Sequence, residues 1–203
     1  GGGIRALELH CESVETFCAH VPGLKVVIPS HPYDAKGLLI SSIRDPDPVI
    51  FLEPMRVYRA IKEEVPDNEY TVPIGKAEIE QEGSDLTVIS YGAMLKYTKE
   101  ALEKSEYSAE IIDVRTIKPL DEETIIKSVE KTGRCVIVNE APKTCGFAAE
   151  IIARINEKAF FSLEAPIERV TGYDVGFPFA KLENYYLPDE KRILKAVNKV
   201  MSQ

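Results

Sequence analysis

At 203 residues the chain is longer than one minimal domain and shorter than two comfortable ones. Its 44% hydrophobic content is ample for a packed core, and a net charge of −8 with no basic run argues against nucleic-acid binding. No apolar stretch approaches the roughly 20 residues of a membrane helix, and no charged-then-apolar leader follows the opening Gly1-Gly2-Gly3. Cys11, Cys18, Cys135 and Cys145 form no C-x-x-C pair, which points away from a zinc or disulfide scaffold and towards a reducing compartment.

The first 54 residues predict a glycine-rich loop and a helix near 13–20 with Ser13 as its cap, then a strand at 26–28. A helix over 34–44 and a strand over 49–52 follow. Two strands cannot make a stable α/β sheet. This half is therefore expected to be the end of a domain, completed by residues before position 1 or by another chain. Residues 55–83 are polar and broken by Pro66 and Pro73, and read as a linker along the surface. From 84 onward strands and helices alternate. Strands are expected at 86–92, 109–114, 135–138 and 167–171. Helices are expected at 93–106, 120–132, 147–160 and 188–201, with Asp121 opening the second and Gly133 just past its end. This grammar implies a complete domain over 84–203 with a mostly parallel sheet covered on both faces.

Of the polar residues, His10 stands out, because an imidazole on a loop before a helix can donate to an anion and titrate near neutrality. By residue type alone, a solvated loop histidine is the more common case. His20, at a helix end, and His31, beside Pro32 and Asp34, suit dipole and capping roles. The turn from Ser42 to Pro48 could hold a hard cation through oxygen ligands, although Asp-Pro turns also use carboxylates as local acceptors. There is no G-x-G-x-x-G, Walker loop, nucleophile elbow or H-E-x-x-H, so no phosphate cradle is visible.

Several ordered stretches together resemble one family. They are Leu9-His10-Cys11-Glu12-Ser13, Pro22-Gly23-Leu24-Lys25-Val26-Val27-Ile28-Pro29, Asp34-Ala35-Lys36-Gly37, Asp45-Pro46-Asp47-Pro48, and Asp113-Val114-Arg115-Thr116-Ile117-Lys118-Pro119-Leu120-Asp121, with Glu164-Ala165-Pro166-Ile167-Glu168-Arg169-Val170 further on. The chain resembles the beta subunit of the thiamine diphosphate-dependent 2-oxo acid dehydrogenases. Gly172-Tyr173-Asp174 with Phe177-Pro178 leans towards the branched-chain type rather than pyruvate.

The resemblance implies an α/β fold in three stretches. Residues 1–54 would end a pyrimidine-binding domain, 55–83 would be a linker, and 84–203 a transketolase C-terminal-like, doubly wound domain. It implies that His10 is a proton donor facing the 2-oxo acid and the incoming lipoyl group. It also implies a potassium site at Ser42, Ile43, Asp45 and Asp47, with Asp47 where asparagine is common. Thiamine diphosphate would be shared with an alpha subunit that also holds Mg2+, and the carboxylate that activates the cofactor would have no counterpart in these residues. The expected assembly is an alpha-two beta-two heterotetramer docked through the carboxy-terminal domain on a dihydrolipoyl acyltransferase core. No nucleic-acid or membrane partner is expected, and the compartment would be a prokaryotic cytoplasm or the mitochondrial matrix. The alternatives are a transketolase or deoxyxylulose-phosphate synthase relative, and a non-catalytic dimerisation or docking fragment.

Overall fold

Every residue of Leu86–Ser90 and of Ala109–Asp113 is buried, as happens when helices cover both faces of a parallel sheet. The computed structural model describes residues 1–6 and 8–203. In chain order it forms α1 (Glu8–Cys11), α2 (Glu15–His20), β1 (Lys25–Val27), α3 (Pro32–Arg44) and β2 (Val49–Phe51). After a 3-10 turn come β3 (Glu78–Gln81), β4 (Leu86–Ser90), α4 (Ala93–Leu102), β5 (Ala109–Asp113) and β6 (Thr116–Lys118). The chain continues through α5 (Glu122–Thr132), β7 (Cys135–Pro142), α6 (Phe147–Ala159), β8 (Glu168–Gly172), α7 (Glu183–Tyr186) and α8 (Glu190–Met201).

The larger sheet has the order β3-β5-β4-β7-β8. Its last four strands are parallel, and β3 runs antiparallel along the edge. Alternation along β4 divides the core. Val88 faces α4 and α8 with Ile193 and Val197, while Ile89 faces α5 and α6 with Ile125, Val129, Ile151 and Ile155. Burying one such aliphatic side chain contributes about 1.5–3 kcal/mol. Helix ends follow from local chemistry. Asp121 accepts from Thr124 N–H at 3.3 Å to cap α5, and Gly133 ends that helix in the left-handed region at φ 70°. Asp189 caps α8 by accepting from Arg192 N–H at 2.8 Å.

The smaller sheet recruits a strand that the sequence pattern does not show. β1 and β2 pair in parallel, but the third strand comes from downstream in the same chain, with β6 antiparallel to β1. Nor does 55–83 only lie along the surface. Val72 is 4% exposed and packs with Val27 and Leu38, and Glu78–Gln81 supplies the edge strand β3. A lone parallel pair leaves apolar faces uncovered, and this segment supplies the cover.

Between the sheets lies Arg115, a non-glycine residue at φ 57° just after β5. Its carbonyl accepts from Ile28 N–H at 2.8 Å, while its guanidinium pairs with the buried Asp34 on α3 and with Glu78 on β3, the latter at 2.7 Å. Lys118 adds a second stitch, donating to the carbonyls of Ala19 at 2.9 Å and Val21 at 2.8 Å at the end of α2. Arg115→Met should lower stability by about 3 kcal/mol, because it leaves Asp34 buried without its main counter-ion. Arg115→Lys should not restore it, since one ammonium lacks the fork that spans both carboxylates. Urea unfolding measures both, and a loss below about 1 kcal/mol for the Met variant would show that the pair is not what joins the halves.

Candidate active-site segment and the crevice that holds it

In an open parallel sheet the natural crevice lies beyond the carboxyl ends of the strands, where the strand order reverses. Here the chain moves from β4 outward to β5 and then back across to β7, so the reversal falls between β4 and β7. Tyr91, just past β4, and Glu140, in β7, stand on its two sides.

The chain fills this crevice with its own amino-terminal segment. Gly2 N–H donates to Glu140 Oε1 at 3.2 Å, and Ser13 Oγ–H donates to the same oxygen at 3.3 Å. Tyr91 O–H donates to Glu15 Oε1 at 3.0 Å, and Glu15 is only 3% exposed. A cavity of about 100 Å3 remains, bordered by Ser13, Glu15, Tyr91 and Glu140. This arrangement explains why Ser13 does not cap α2 as its sequence position predicts. Val14 takes the cap position without a side-chain bond, because the Ser13 hydroxyl is committed to Glu140. Burial raises the carboxyl of Glu15 above its ordinary 4.5, and burial together with nearby Glu15 raises that of Glu140.

The carboxy-terminal lobe clamps the same segment from the other side. Cys11, 1% exposed, packs with Phe177, Tyr186 and Leu187. Phe177 N–H donates to Glu12 Oε1 at 3.3 Å, and Gly3 N–H donates to the Glu183 carboxylate. A Cβ at position 2 would run into the Phe177 ring, so glycine is needed there for close approach. Asp174 anchors the clamp, accepting from Thr144 N–H at 2.7 Å and Thr144 Oγ at 2.8 Å.

His10 lies in α1 beside the inward-facing Cys11 and is itself exposed. Its segment is therefore held at Gly2, Gly3, Cys11, Glu12, Ser13 and Glu15, while the imidazole is presented to the outside. Ser42, Ile43, Asp45 and Asp47 lie elsewhere, at the end of α3 and in the turn after it. There Lys25 Nζ already bridges Asp45, at 2.7 and 2.8 Å, and Asp47, at 3.1 Å. Its hydrogen bond lowers the Asp45 carboxyl. Ser42 Oγ donates back to Leu38 O at 2.7 Å and Ile43 has no side-chain oxygen, so a cation there would draw chiefly on main-chain oxygens. His20 closes α2 as expected. His31 occupies the N-cap position of α3 but makes no capping bond, because its ring faces carboxylates instead.

Sequence reasoning missed Glu15, Tyr91, Glu140 and Asp113. The usable signal was a polar residue directly after an apolar strand run, as in Ile111-Ile112-Asp113 and Val138-Asn139-Glu140, since those ends border the crevice of a parallel sheet.

Comparison with known proteins gives this geometry its class. The pattern of the transketolase C-terminal domain matches residues 75–193, and that of the transketolase pyrimidine binding domain matches residues 1–60. The chain belongs to the transketolase domain family. Within it, the chain is 53% identical over 204 aligned positions to the pyruvate dehydrogenase E1 component subunit beta of Bacillus subtilis (strain 168), covering 99% of this chain and 63% of that protein. The equivalent subunits of Staphylococcus aureus and Acholeplasma laidlawii are 51% and 52% identical, with 99% and 98% of this chain and 63% and 62% of theirs covered. The chain thus spans less than two thirds of the length of these relatives. A solved structure described as a split gene transketolase, inactive beta4 tetramer, superposes with a TM-score of 0.79 over 96% of this chain and 63% of that one, at 23% identity. That likeness shows the fold.

Two tests follow from the crevice. Since the folded-state value of Glu15 is raised, its contribution to stability is complete below the unfolded value and is lost as pH rises through the folded one. Denaturant midpoints followed upward from pH 4.5 should fall more steeply for the parent than for Glu15→Gln, and parallel profiles would mean that the carboxyl is not held protonated. Phe177→Ala should cost about 3 kcal/mol by the usual penalty for a buried aromatic. It should also expose the segment before Ser13 to limited proteolysis; a variant as resistant as the parent would show that Phe177 is not the clamp.

Proposed function

We propose that this chain is the larger part of the beta subunit of a thiamine diphosphate-dependent 2-oxo acid dehydrogenase. That enzyme is the decarboxylating component, which oxidatively decarboxylates a 2-oxo acid and passes the acyl group to lipoamide. The observation that carries the proposal is His10, exposed on a segment otherwise braced from both sides, at the position the sequence motif assigns to the active-site histidine. Pyruvate replaces the branched-chain acid as the favoured substrate, because the relatives at 51–53% identity carry pyruvate in their names.

When bound, thiamine diphosphate supplies the nucleophilic carbon and electron sink for decarboxylation. The residues of this chain would supply orientation and protons. In its protonated form the His10 imidazole would donate a hydrogen bond to the substrate carboxylate. It would later deliver a proton to the thiolate released when the lipoyl disulfide opens. Gly2, Ser13 and Glu140 would fix the distance over which it acts. Among the described residues the crevice is bordered by Glu12, Glu15, Glu53 and Glu140, a poor donor set for a diphosphate. The cofactor's diphosphate and Mg2+ would accordingly be held by an alpha subunit in a heterotetramer.

A potassium ion at the Ser42–Asp47 turn would use main-chain oxygens of Ser42 and Ile43 and share Asp45 and Asp47 with Lys25. The acyltransferase core would dock on the carboxy-terminal domain. The bacterial relatives favour a cytoplasmic setting, and no helix among the described residues is long and apolar enough to cross a membrane. The same acidic lining disfavours the sugar phosphates of a transketolase-type reaction.

His10→Ala, made in the full-length subunit and reconstituted with its alpha partner, should lower reductive acylation by about 10²–10⁴-fold, the span expected for loss of a positioned proton donor. Its melting temperature should not change, because the ring is exposed. Wild-type acylation by this variant would show that His10 is not the active-site proton donor, and turnover of sugar phosphates in place of pyruvate would favour the transketolase reading.

A further inference from the structure

The seam beside Arg115 holds a second cluster that the proposed reaction does not use. Among the described residues, His31, Glu80 and Asp113 each place a ligating atom within 4.8 Å of the others'. They come from three elements: the residue before α3, the edge strand β3, and the carboxyl end of β5. A cavity of about 440 Å3, bordered by Ser30, His31, Glu63, Glu78, Glu80 and Arg115, opens onto His31 and Glu80, with Asp113 buried behind them.

We infer that His31, Glu80 and Asp113 form a binding site for a divalent transition-metal ion of the zinc class, clamping the two halves of the chain together. The geometry matches that ion. His31 Nε2 lies 3.3 Å from a Glu80 oxygen, and Asp113 offers a carboxylate oxygen within 4.8 Å of the ligand atoms of both. Metal–ligand bonds of about 2.0–2.2 Å at tetrahedral angles place neighbouring ligand atoms about 3.3–3.6 Å apart. The other ring nitrogen, Nδ1, lies 3.2 Å from Glu63 Oε1. With a metal bound, a carboxylate there would keep the proton on Nδ1 and turn the Nε2 lone pair to the ion, the usual support for a metal-bound histidine.

Unpartnered buried oxygens point to the same place. Asp34 Oδ1 and Asp113 Oδ2 find no partner beyond the neighbouring Ser30 hydroxyl, although both residues are 0% exposed. Buried oxygens of this kind are costly unless something satisfies them. Charge is also out of balance. Asp34, Glu63, Glu78, Glu80 and Asp113 converge here against Arg115 and Lys99, so carboxylates outnumber the permanent cations. A divalent ion would offset that surplus. One imidazole with two carboxylates suits zinc or its neighbours better than Mg2+ or Ca2+, which prefer oxygen alone.

The test uses the full-length protein with its partner chain, stripped by chelation, in excess Mg2+ and in a Cys145→Ser background that removes the exposed thiol. Calorimetric titration with Zn2+ should show one site per chain, together with a Zn2+-dependent rise in melting temperature. His31→Gln, Asp113→Asn and Glu80→Gln should each weaken that site by more than about tenfold. Asp113→Asn should also melt no lower than the parent without metal, because it removes an uncompensated buried charge, yet lose the zinc-induced rise. No uptake by the parent, or uptake unchanged in these variants, would overturn the site and leave the cluster as an ionic seam alone.

Discussion

The buried guanidinium of Arg115 touches both halves of the molecule, reaching Asp34 on α3 and Glu78 on β3. Its backbone carbonyl continues the link by accepting from Ile28 just beyond β1. Because of that turn, the chain leaving β5 runs directly into β6 and adds a third strand to the sheet of the first half. Each carboxylate here would be costly to bury alone, so the ion pairs specify one relative placement of the halves rather than simply adding stability. The packing of β1, the docking of α3 and the shape of the seam beside His31 all depend on that placement.

The second dependence runs through the crevice between β4 and β7. In many doubly wound sheets this place receives a ligand. Here it receives Gly2, Cys11, Ser13 and Glu15 of the same chain, through Glu140, Tyr91 and the Phe177 clamp. The structural result is a short helix with Cys11 buried and His10 outside. A proton donor needs such bracing, since a displacement of about 1 Å is costly in an oriented reaction. The Gly172-Tyr173-Asp174 and Phe177-Pro178 motif thereby acquires a mechanical role, with Asp174 tied to Thr144 and Phe177 pressed on Gly2.

Much of the larger domain was legible because strand and helix periods differ and its caps are local. Asp121, Gly133 and the stripe Ile193, Val197 and Val200 needed no tertiary information. The errors came where a polar residue had a choice of partners. Ser13 reads as a helix cap but bonds Glu140, which is 127 residues away, and His31 reads as a cap but faces Glu63, Glu80 and Asp34. Thr116–Lys118 is too short for a periodic signal, and pairs only because β1 offers an open edge.

The amino-acid sequence by itself determined the alternation of elements, the doubly wound class of residues 84–203 and the motif that singles out His10. The first two rest on short-range patterns of apolarity and turn chemistry, and the third on the family resemblance of the stretch around it. Only the tertiary structure decided that a downstream strand joins the first sheet, that the 55–83 segment packs on it, and that Lys25 bridges Asp45 and Asp47. It alone gathered His31, Glu80 and Asp113. The physical reason is that long-range pairing of buried polar groups depends on which strand ends meet, and no local period encodes that meeting.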